Sequence, residues 1–138
     1  MSLFQREIAI ATRGDDFTDV TSDVQRVVSQ SGIRTGLCTV FIRHTSASLV
    51  IQENAARAVL RDLAAWMGEL APTARAWEHC EEGPDDMPAH ARSAVTRTSE
   101  VIPVTDNKLA LGTWQTLYVW EHRRRPHDRH LVVHVCGE

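Results

Sequence analysis

The sequence predicts an α+β fold: a single compact domain with largely antiparallel β-sheets, one long helix and one or two short ones. Strand-like segments outnumber helical ones, and the short spacing between them is that of hairpins. No Gly/Ser linker, internal repeat or low-complexity segment divides the chain. At 138 residues the chain has the length of one domain, and we expect residues 1–138 to form one.

Seven segments have the alternation or the β-branched content of strands. In the first, apolar and polar residues alternate, which is typical of a half-buried strand. The second is rich in β-branched residues and favours a buried strand. In chain order the predicted strands are residues 3–12, 38–42, 49–51, 101–104, 109–111, 114–121 and 130–136. The segment 123–128 contains a proline and predicts a hairpin loop between the last two.

Helical periodicity predicts one long helix over residues 54–70. Its apolar residues recur at steps of three and four on one face, and Pro72 marks its end. A shorter helix begins at residues 21–23, which offer capping side chains, and ends at Gly32. Residues 89–98 favour a second short helix, after an irregular loop rich in Glu, Asp, Gly and Pro.

Composition and charge narrow the expected partners. A net charge of −3 and a pI near 6.1 argue against binding to nucleic acid or an anionic membrane. No apolar run approaches the roughly 20 residues that cross a bilayer, and Arg6 comes too early for a signal-peptide core. Three cysteines without a Cys-x-x-Cys pair indicate neither a disulfide framework nor a zinc knuckle. We therefore expect a cytoplasmic protein.

Two segments are rich in groups that bind metals or anions. Residues 44–48 place an imidazole beside three hydroxyls, and residues 79–90 hold two histidines and four carboxylates. From the residues alone, a strand-terminal turn is the favoured interpretation of the first segment. For the second, an acidic solvated loop and a ligand loop are equally well supported.

Three other features have both a functional and a structural interpretation. Trp114 and Gln115 could stack on and hydrogen-bond to a flat ring, although composition favours a core tryptophan. Arg129 belongs to a basic cluster that could meet phosphates, or that simply forms a solvated hairpin tip. His130 and His134 lie on one face of a predicted strand, where surface positions are the commoner explanation.

Taken together, these segments resemble one family over essentially the whole chain. Several separated motifs in a fixed order are far more specific than any one of them. The matching residues are His44–Leu49, Glu53–Asn54, Asp62, Glu78–His79, Glu82–Gly83, Asp85–Pro88, His90, Ser93, Pro103–Val104, Gly112–Gln115, Glu121–Arg123 and Gly137–Glu138. The sequence is similar to the YjbQ-like family, known as secondary thiamine-phosphate synthases. The resemblance implies a compact α+β fold and a homotrimer. It also implies a weak synthase activity that joins hydroxymethylpyrimidine diphosphate to thiazole phosphate and releases pyrophosphate.

The resemblance also implies the residues of the site. His44, His79 and His90 are expected to hold a divalent ion, with zinc favoured and magnesium as the alternative for a diphosphate substrate. For a transferase that releases diphosphate we further expect three kinds of contribution. These are contacts to a small phosphorylated metabolite by Thr45, Ser46, Ser48, Gln115 and Arg129, ring stacking by Trp114, and general acid or base catalysis by Glu53 or Asp85. Two positions depart from the family pattern: Cys80 replaces Asp or Asn, and Arg97 replaces Gly.

Two other function classes stay open. Three imidazoles leave a coordination position for water, which suits metal-dependent hydrolysis of a small phosphate or amide. A non-catalytic trimeric module that binds a metal or a metabolite is the third hypothesis.

Overall fold

Two antiparallel sheets and three helices make up the α+β fold, which the computed structural model describes for residues 1–138. The strands are β1 (Ser2–Ala11), β2 (Phe17–Asp19), β3 (Thr35–Ile42), β4 (Ala47–Glu53), β5 (Ser99–Thr105), β6 (Lys108–Leu109), β7 (Gln115–Glu121) and β8 (Asp128–Gly137). The helices are α1 (Thr21–Ser31), α2 (Arg57–Leu70) and α3 (Asp86–Val95). The predicted fold class is confirmed, and each of the seven predicted strands overlaps an observed one.

The two sheets share one hydrophobic core. The five-stranded sheet has the order β1-β8-β3-β5-β6, and the three-stranded sheet has the order β2-β7-β4. Buried apolar residues from both sheets and from α1 form a cluster of 18, which includes Val24 and Val28 of the helix, Leu117 of β7 and Val133 of β8. Strands of both sheets thus direct apolar side chains into this core.

Helix α1 begins and ends where the sequence predicts, but it has no side-chain cap at its start. Gly32 closes the helix with a φ of 68°, in the left-handed region that glycine adopts without strain. The predicted capping hydroxyl of Thr21 does not cap the helix, because Thr21 is its first residue. That hydroxyl instead accepts a hydrogen bond from the backbone N–H of Leu117, 3.0 Å away, and so connects α1 to β7.

Helices α2 and α3 are displaced from their predicted bounds by backbone pairing with strands. The N–H of Asn54 donates to the carbonyl of Trp114, so the chain stays extended until α2 begins at Arg57. The carbonyl of Arg97 accepts from the N–H of Leu49, which ends α3 at Val95. None of the three helices combines the length and the apolar character needed to cross a membrane.

The segment 123–128 is not the predicted hairpin loop. Strand β7 pairs with β2 and β4, whereas β8 pairs with β1 and β3, so both neighbours of each strand are already taken. The segment therefore carries the chain from one sheet to the other. Since it leaves β7 at Glu121, it places the following arginines at the junction between the sheets.

A buried ion pair joins the sheets at this junction. Glu121 at the end of β7 is fully buried, and its Oε1 accepts from Arg129 Nε of β8 at 2.8 Å and from the Thr12 hydroxyl at 2.6 Å. Burial by itself would raise the pKa of Glu121, but the hydrogen bonds from Arg129 and Thr12 outweigh it and lower the pKa on balance. The carboxylate is therefore ionised and holds both sheets.

We expect Glu121→Gln to lower the free energy of unfolding by about 3 kcal/mol, because it leaves the Arg129 guanidinium buried without a counter-charge. Adding Arg129→Met should recover part of this loss, since it removes the unpaired charge. Urea denaturation measures both effects. Arg34→Gln, which breaks the exposed pair with Asp106, serves as the control and should change little. A double variant less stable than Glu121→Gln alone would contradict this account.

Candidate metal centre

Two histidines and an aspartate converge at the start of α3; we call His79, Asp86 and His90 the candidate metal centre. Asp86 and His90 are four residues apart on α3 and so share a face, and His79 comes from the loop before the helix. Asp86 Oδ2 lies 3.0 Å from Nε2 of His79 and 3.1 Å from Nε2 of His90. All three ligand atoms lie within 4.8 Å of one another, which suits a single cation.

The hydrogen bonds around His90 determine which nitrogen faces the centre as a ligand. Its Nδ1 lies 3.1 Å from the carbonyl oxygen of Thr45, and a carbonyl only accepts, so Nδ1 carries the proton. In a neutral ring the Nε2 lone pair then faces the carboxylate oxygen of Asp86. Two lone pairs meet favourably only when positive charge lies between them. Either a proton on Nε2 or a bound cation supplies that charge, and a backbone carbonyl behind a histidine is a common support for a metal ligand.

Arg123 holds the carboxylates of the centre. Its Nη1 donates to Asp86 Oδ1 at 2.9 Å, which leaves Oδ2 to face the histidines. Its Nε donates to Asp85 Oδ2 at 3.0 Å, and the backbone N–H of Arg124 donates to the same oxygen at 2.9 Å. Asp86 itself is only 4% exposed, so its charge needs this partner. Arg123 therefore fixes the orientation of Asp86.

Asp85, the predicted general acid or base, forms an ion pair with Arg123. Burial opposes ionisation, but hydrogen bonds from Arg123 and Arg124 outweigh it and lower the pKa of Asp85 to about 2. The pKa of Arg123 is raised, chiefly by its hydrogen bond to Asp85. A carboxylate with so low a pKa exchanges no proton near neutral pH, which favours a positioning role for Asp85.

The buried pair of Glu121 and Arg129 supports the centre from behind. Glu121 Oε2 accepts from the backbone N–H of Arg123 at 3.1 Å. Arg129 Nη2 donates to the Ser46 hydroxyl at 3.0 Å, next to the Thr45 carbonyl that holds His90. One carboxylate thus positions both the arginine and the turn that contact the candidate metal centre. Arg129 is itself only 4% exposed, which limits its access to a substrate.

His44, the third predicted ligand, does not join the centre within this chain. Its Nε2 accepts a hydrogen bond from the backbone N–H of His130 at 2.8 Å, and the two rings stack with centroids 5.9 Å apart. Burial and then the charge of Arg129 lower the pKa of His44. Asp86 takes the place that the sequence analysis gave to His44. The four-residue spacing from Asp86 to His90 would have revealed it, had the helix been predicted to begin at Asp86.

Of the three residues predicted to contact a substrate through their hydroxyls, two lie beside the centre and one does not. Thr45 and Ser46 lie beside the centre, through the Thr45 carbonyl and the Ser46 hydroxyl described above. Ser48 is fully buried, and its Oγ lies 2.8 Å from Nε2 of His122. Burial lowers the pKa of His122 to about 3, so the ring is neutral. Ser48 therefore belongs to the core beneath the site, out of reach of a substrate.

Glu53, Trp114 and Gln115 lie at the far end of the three-stranded sheet. Strands β4 and β7 pair along their whole length, so that Glu53 is opposite Gln115 while Ala47 is opposite Glu121. Six residue steps of about 3.3 Å put the two ends roughly 20 Å apart. Within one chain, these three predicted residues are therefore separated from the candidate metal centre.

The two departures from the family pattern are both accommodated. Arg97, which replaces a glycine, is not among the residues with positive φ, so its backbone has no need of glycine. Its side chain is exposed and pairs with Glu100 at 3.5 Å. Cys80 is exposed and lies outside the group of converging ligands.

The fold and the site together define the class of this protein. It is a small α+β protein with two sheets, and a His–Asp group at the start of a helix forms its candidate cation site. The model of the family described as "UPF0047 protein YjbQ-like" matches residues 6–138, and the chain belongs to this family. UPF0047 protein sll1880 of Synechocystis is 56% identical over 97% of this chain and 92% of its own. YjbQ of Salmonella typhimurium is 34% identical over 98% of this chain and 99% of its own.

Solved structures agree with this assignment. A YbjQ-like protein of unknown function from Sulfolobus solfataricus has a TM-score of 0.91 at 28% identity, with 99% of both chains covered. A YjbQ/UPF0047 family protein from Clostridium acetobutylicum has a TM-score of 0.87 at 32% identity, covering 95% of this chain and 99% of its own. The family resemblance noted from the motifs is thus confirmed.

We expect zinc to bind at the candidate metal centre with one ion per chain. His90→Ala and Asp86→Asn should each weaken binding at least tenfold, because each removes one of the converging ligand atoms. Calorimetric titration of untagged protein measures the affinity. His134→Ala is the control, since that ring contacts Gln5 on the surface of the five-stranded sheet. Zinc binding that depends on His44 but not on His90 would contradict the assignment.

We expect Asp85→Asn to lower the free energy of unfolding at pH 7 by about 1–2 kcal/mol. The pKa of Asp85 falls from 3.8 to about 2 on folding, so its contribution is complete above pH 3.8 and is lost as the pH falls towards 2. Urea denaturation from pH 7 to pH 3 should therefore show the difference from wild type shrinking in acid. Asp62→Asn, at an exposed position of α2, is the control. A difference that is constant with pH would count against the ion pair.

Proposed function

We propose that this protein is a metal-assisted thiamine-phosphate synthase. It would transfer the hydroxymethylpyrimidine group from its diphosphate to a thiazole phosphate, with pyrophosphate as the leaving group. The observation that carries the proposal is the convergence of His79, Asp86 and His90 ligand atoms within 4.8 Å. Loss of a diphosphate builds negative charge on the departing oxygens, so the reaction needs positive charge at that place.

The ligand set supports a divalent ion. Two imidazoles and one carboxylate suit zinc, while magnesium prefers oxygen ligands alone and would come with the diphosphate. When bound, the ion would neutralise charge on the leaving diphosphate. The chain's own contribution is to fix the ligands: Thr45 orients His90, and Arg123 orients Asp86. The side chain of His79 is about half exposed, so the centre is open to a substrate from that side.

Arg124 is a free arginine whose backbone lies beside the centre, whereas Arg129 is paired with Glu121. Arg123 and Arg129 are both engaged with buried carboxylates. The backbone of Arg124 is held by Asp85, while its side chain is exposed and forms no ion pair. An exposed guanidinium on a backbone that is held by Asp85 can contact diphosphate oxygens. We therefore assign to Arg124 the oxyanion contact that the sequence analysis gave to Arg129.

The homotrimer is part of the proposal. Glu53, Trp114 and Gln115 lie roughly 20 Å from the centre of their own chain by strand geometry. If these residues take part in the reaction, they must come from a neighbouring subunit. An interface that joins the far end of one three-stranded sheet to the candidate metal centre of the next would satisfy this requirement.

Metal-dependent hydrolysis is the second candidate function. Three ligand atoms leave coordination positions for water, and the half-exposed His79 side chain leaves room for it. The same centre would then cleave a small phosphate or amide. The two functions differ in their second substrate, which is a thiazole phosphate for the synthase and water for the hydrolase.

We expect zinc-loaded protein to form thiamine phosphate from the two half-substrates. His90→Ala and Asp86→Asn should each lower the rate at least tenfold, whereas His134→Ala should not change it. Chromatography of the product with parallel detection of pyrophosphate measures the reaction.

The same assay separates the alternatives. Phosphate release from the diphosphate without condensation would support the hydrolase. Retention of thiamine phosphate without turnover would support a binding module. Synthesis that is unaffected by both centre variants would contradict the role given to His79, Asp86 and His90.

A further inference from the structure

Two open cavities adjoin the candidate metal centre, and they share an aromatic wall. One has a volume of about 570 Å³ and the other about 280 Å³, and His79 lines both of them. Trp77 and Met87 also line both cavities. An indole ring and a thioether therefore lie directly beside a histidine of the centre. Such a combination is suited to the face of a flat ring.

The local chain structure explains why these side chains are placed there. Met87 belongs to the first turn of α3, three residues before His90, so the two are neighbours along the helix surface. Trp77 precedes His79 by two residues, and its indole N–H donates to the carbonyl of Pro72 at 3.3 Å. That hydrogen bond uses the polar atom of the indole and leaves the ring as an apolar wall.

The two cavities differ in charge. Glu78 and Glu81 line the larger one, whereas Arg75 and Thr73 line the smaller one. The guanidinium carbon of Arg75 lies 5.0 Å from the centroid of the Trp77 ring, within the range of a cation–π contact. A ligand that occupies both cavities can therefore contact carboxylates in one and a guanidinium in the other, while the indole of Trp77 lines both.

We infer that Trp77 and Met87 form the subsite for a planar heteroaromatic ring in a ligand that carries an amino group at one end and a phosphate at the other. The ring lies against the indole, the amino group faces Glu78 and Glu81, and the phosphate faces Arg75. This inference rests on the proposed function for the choice of ligand, since thiamine phosphate combines these features. It moves the stacking role from Trp114, at the far end of the three-stranded sheet, to Trp77.

The test is calorimetric titration of the full-length protein with thiamine phosphate, with EDTA present. The chelator separates ring binding from any contribution of the candidate metal centre. Trp77→Leu should weaken binding about tenfold or more through the loss of stacking, and Trp77→Phe, which keeps an aromatic face, should weaken it only about threefold. Trp66→Leu is the matched control, because Trp66 is an exposed indole on α2 away from these cavities.

Arg75→Gln tests the orientation of the ligand. It should weaken the binding of thiamine phosphate several-fold but change the binding of unphosphorylated thiamine little, since thiamine has no anionic group for the guanidinium to pair with. Circular dichroism verifies folding. Met87→Ala tests the same wall with the indole intact, and it should also weaken binding measurably.

Several results would overturn the inference. These are no binding by the wild type at millimolar thiamine phosphate, equal binding by the folded Trp77 and Trp66 variants, or a loss confined to Trp114→Leu. The synthase assay is independent of this titration. Absence of synthesis together with the expected pattern of binding would reject the proposed function and keep the subsite.

Discussion

The structure depends on the hydrogen bonds and the ion pair that the buried carboxylate of Glu121 forms. This carboxylate is buried between the two sheets, where it binds the Arg129 guanidinium, the Thr12 hydroxyl and the backbone N–H of Arg123. A buried charge costs several kcal/mol unless its hydrogen-bonding capacity is met, so these partners must stay in place. Because two of them lead to the candidate metal centre, the requirement that stabilises the sheet junction also fixes the geometry of the site.

Hydrogen bonds connect Glu121 to two of the ligands of the candidate metal centre. Arg123 is held by Glu121 and in turn holds Asp86, while Arg129 holds the turn whose carbonyl orients His90. Hydrogen bonds to Arg123 and to the Thr45 carbonyl thus hold Asp86 and His90 in place. Ligands that are held in this way lose little conformational freedom on binding, which favours affinity. The proposed synthase function uses this arrangement, and the proposed aromatic subsite adjoins it.

Much of the fold could be predicted from residue patterns. Alternation and β-branched content located the strands, and Gly32 ended α1 where glycine favours the left-handed conformation. The errors arose where distant backbone groups pair. The bridge between Leu49 and Arg97 ends α3 at Val95, and the helix also begins three residues before its predicted start, which brings Asp86 into its first turn. Local propensity contains no information about such a partner.

The sequence by itself determined the family, the fold class, and His79 and His90 as candidate ligands. These follow from motif order and from residue chemistry, both of which are properties of the chain in one dimension. Only the tertiary structure decided that Asp86 joins them while His44 contacts β8, and that residues 123–128 cross between sheets. The physical reason is that neighbours in the folded chain are chosen by strand pairing and by the burial of charge, which act between residues far apart in sequence.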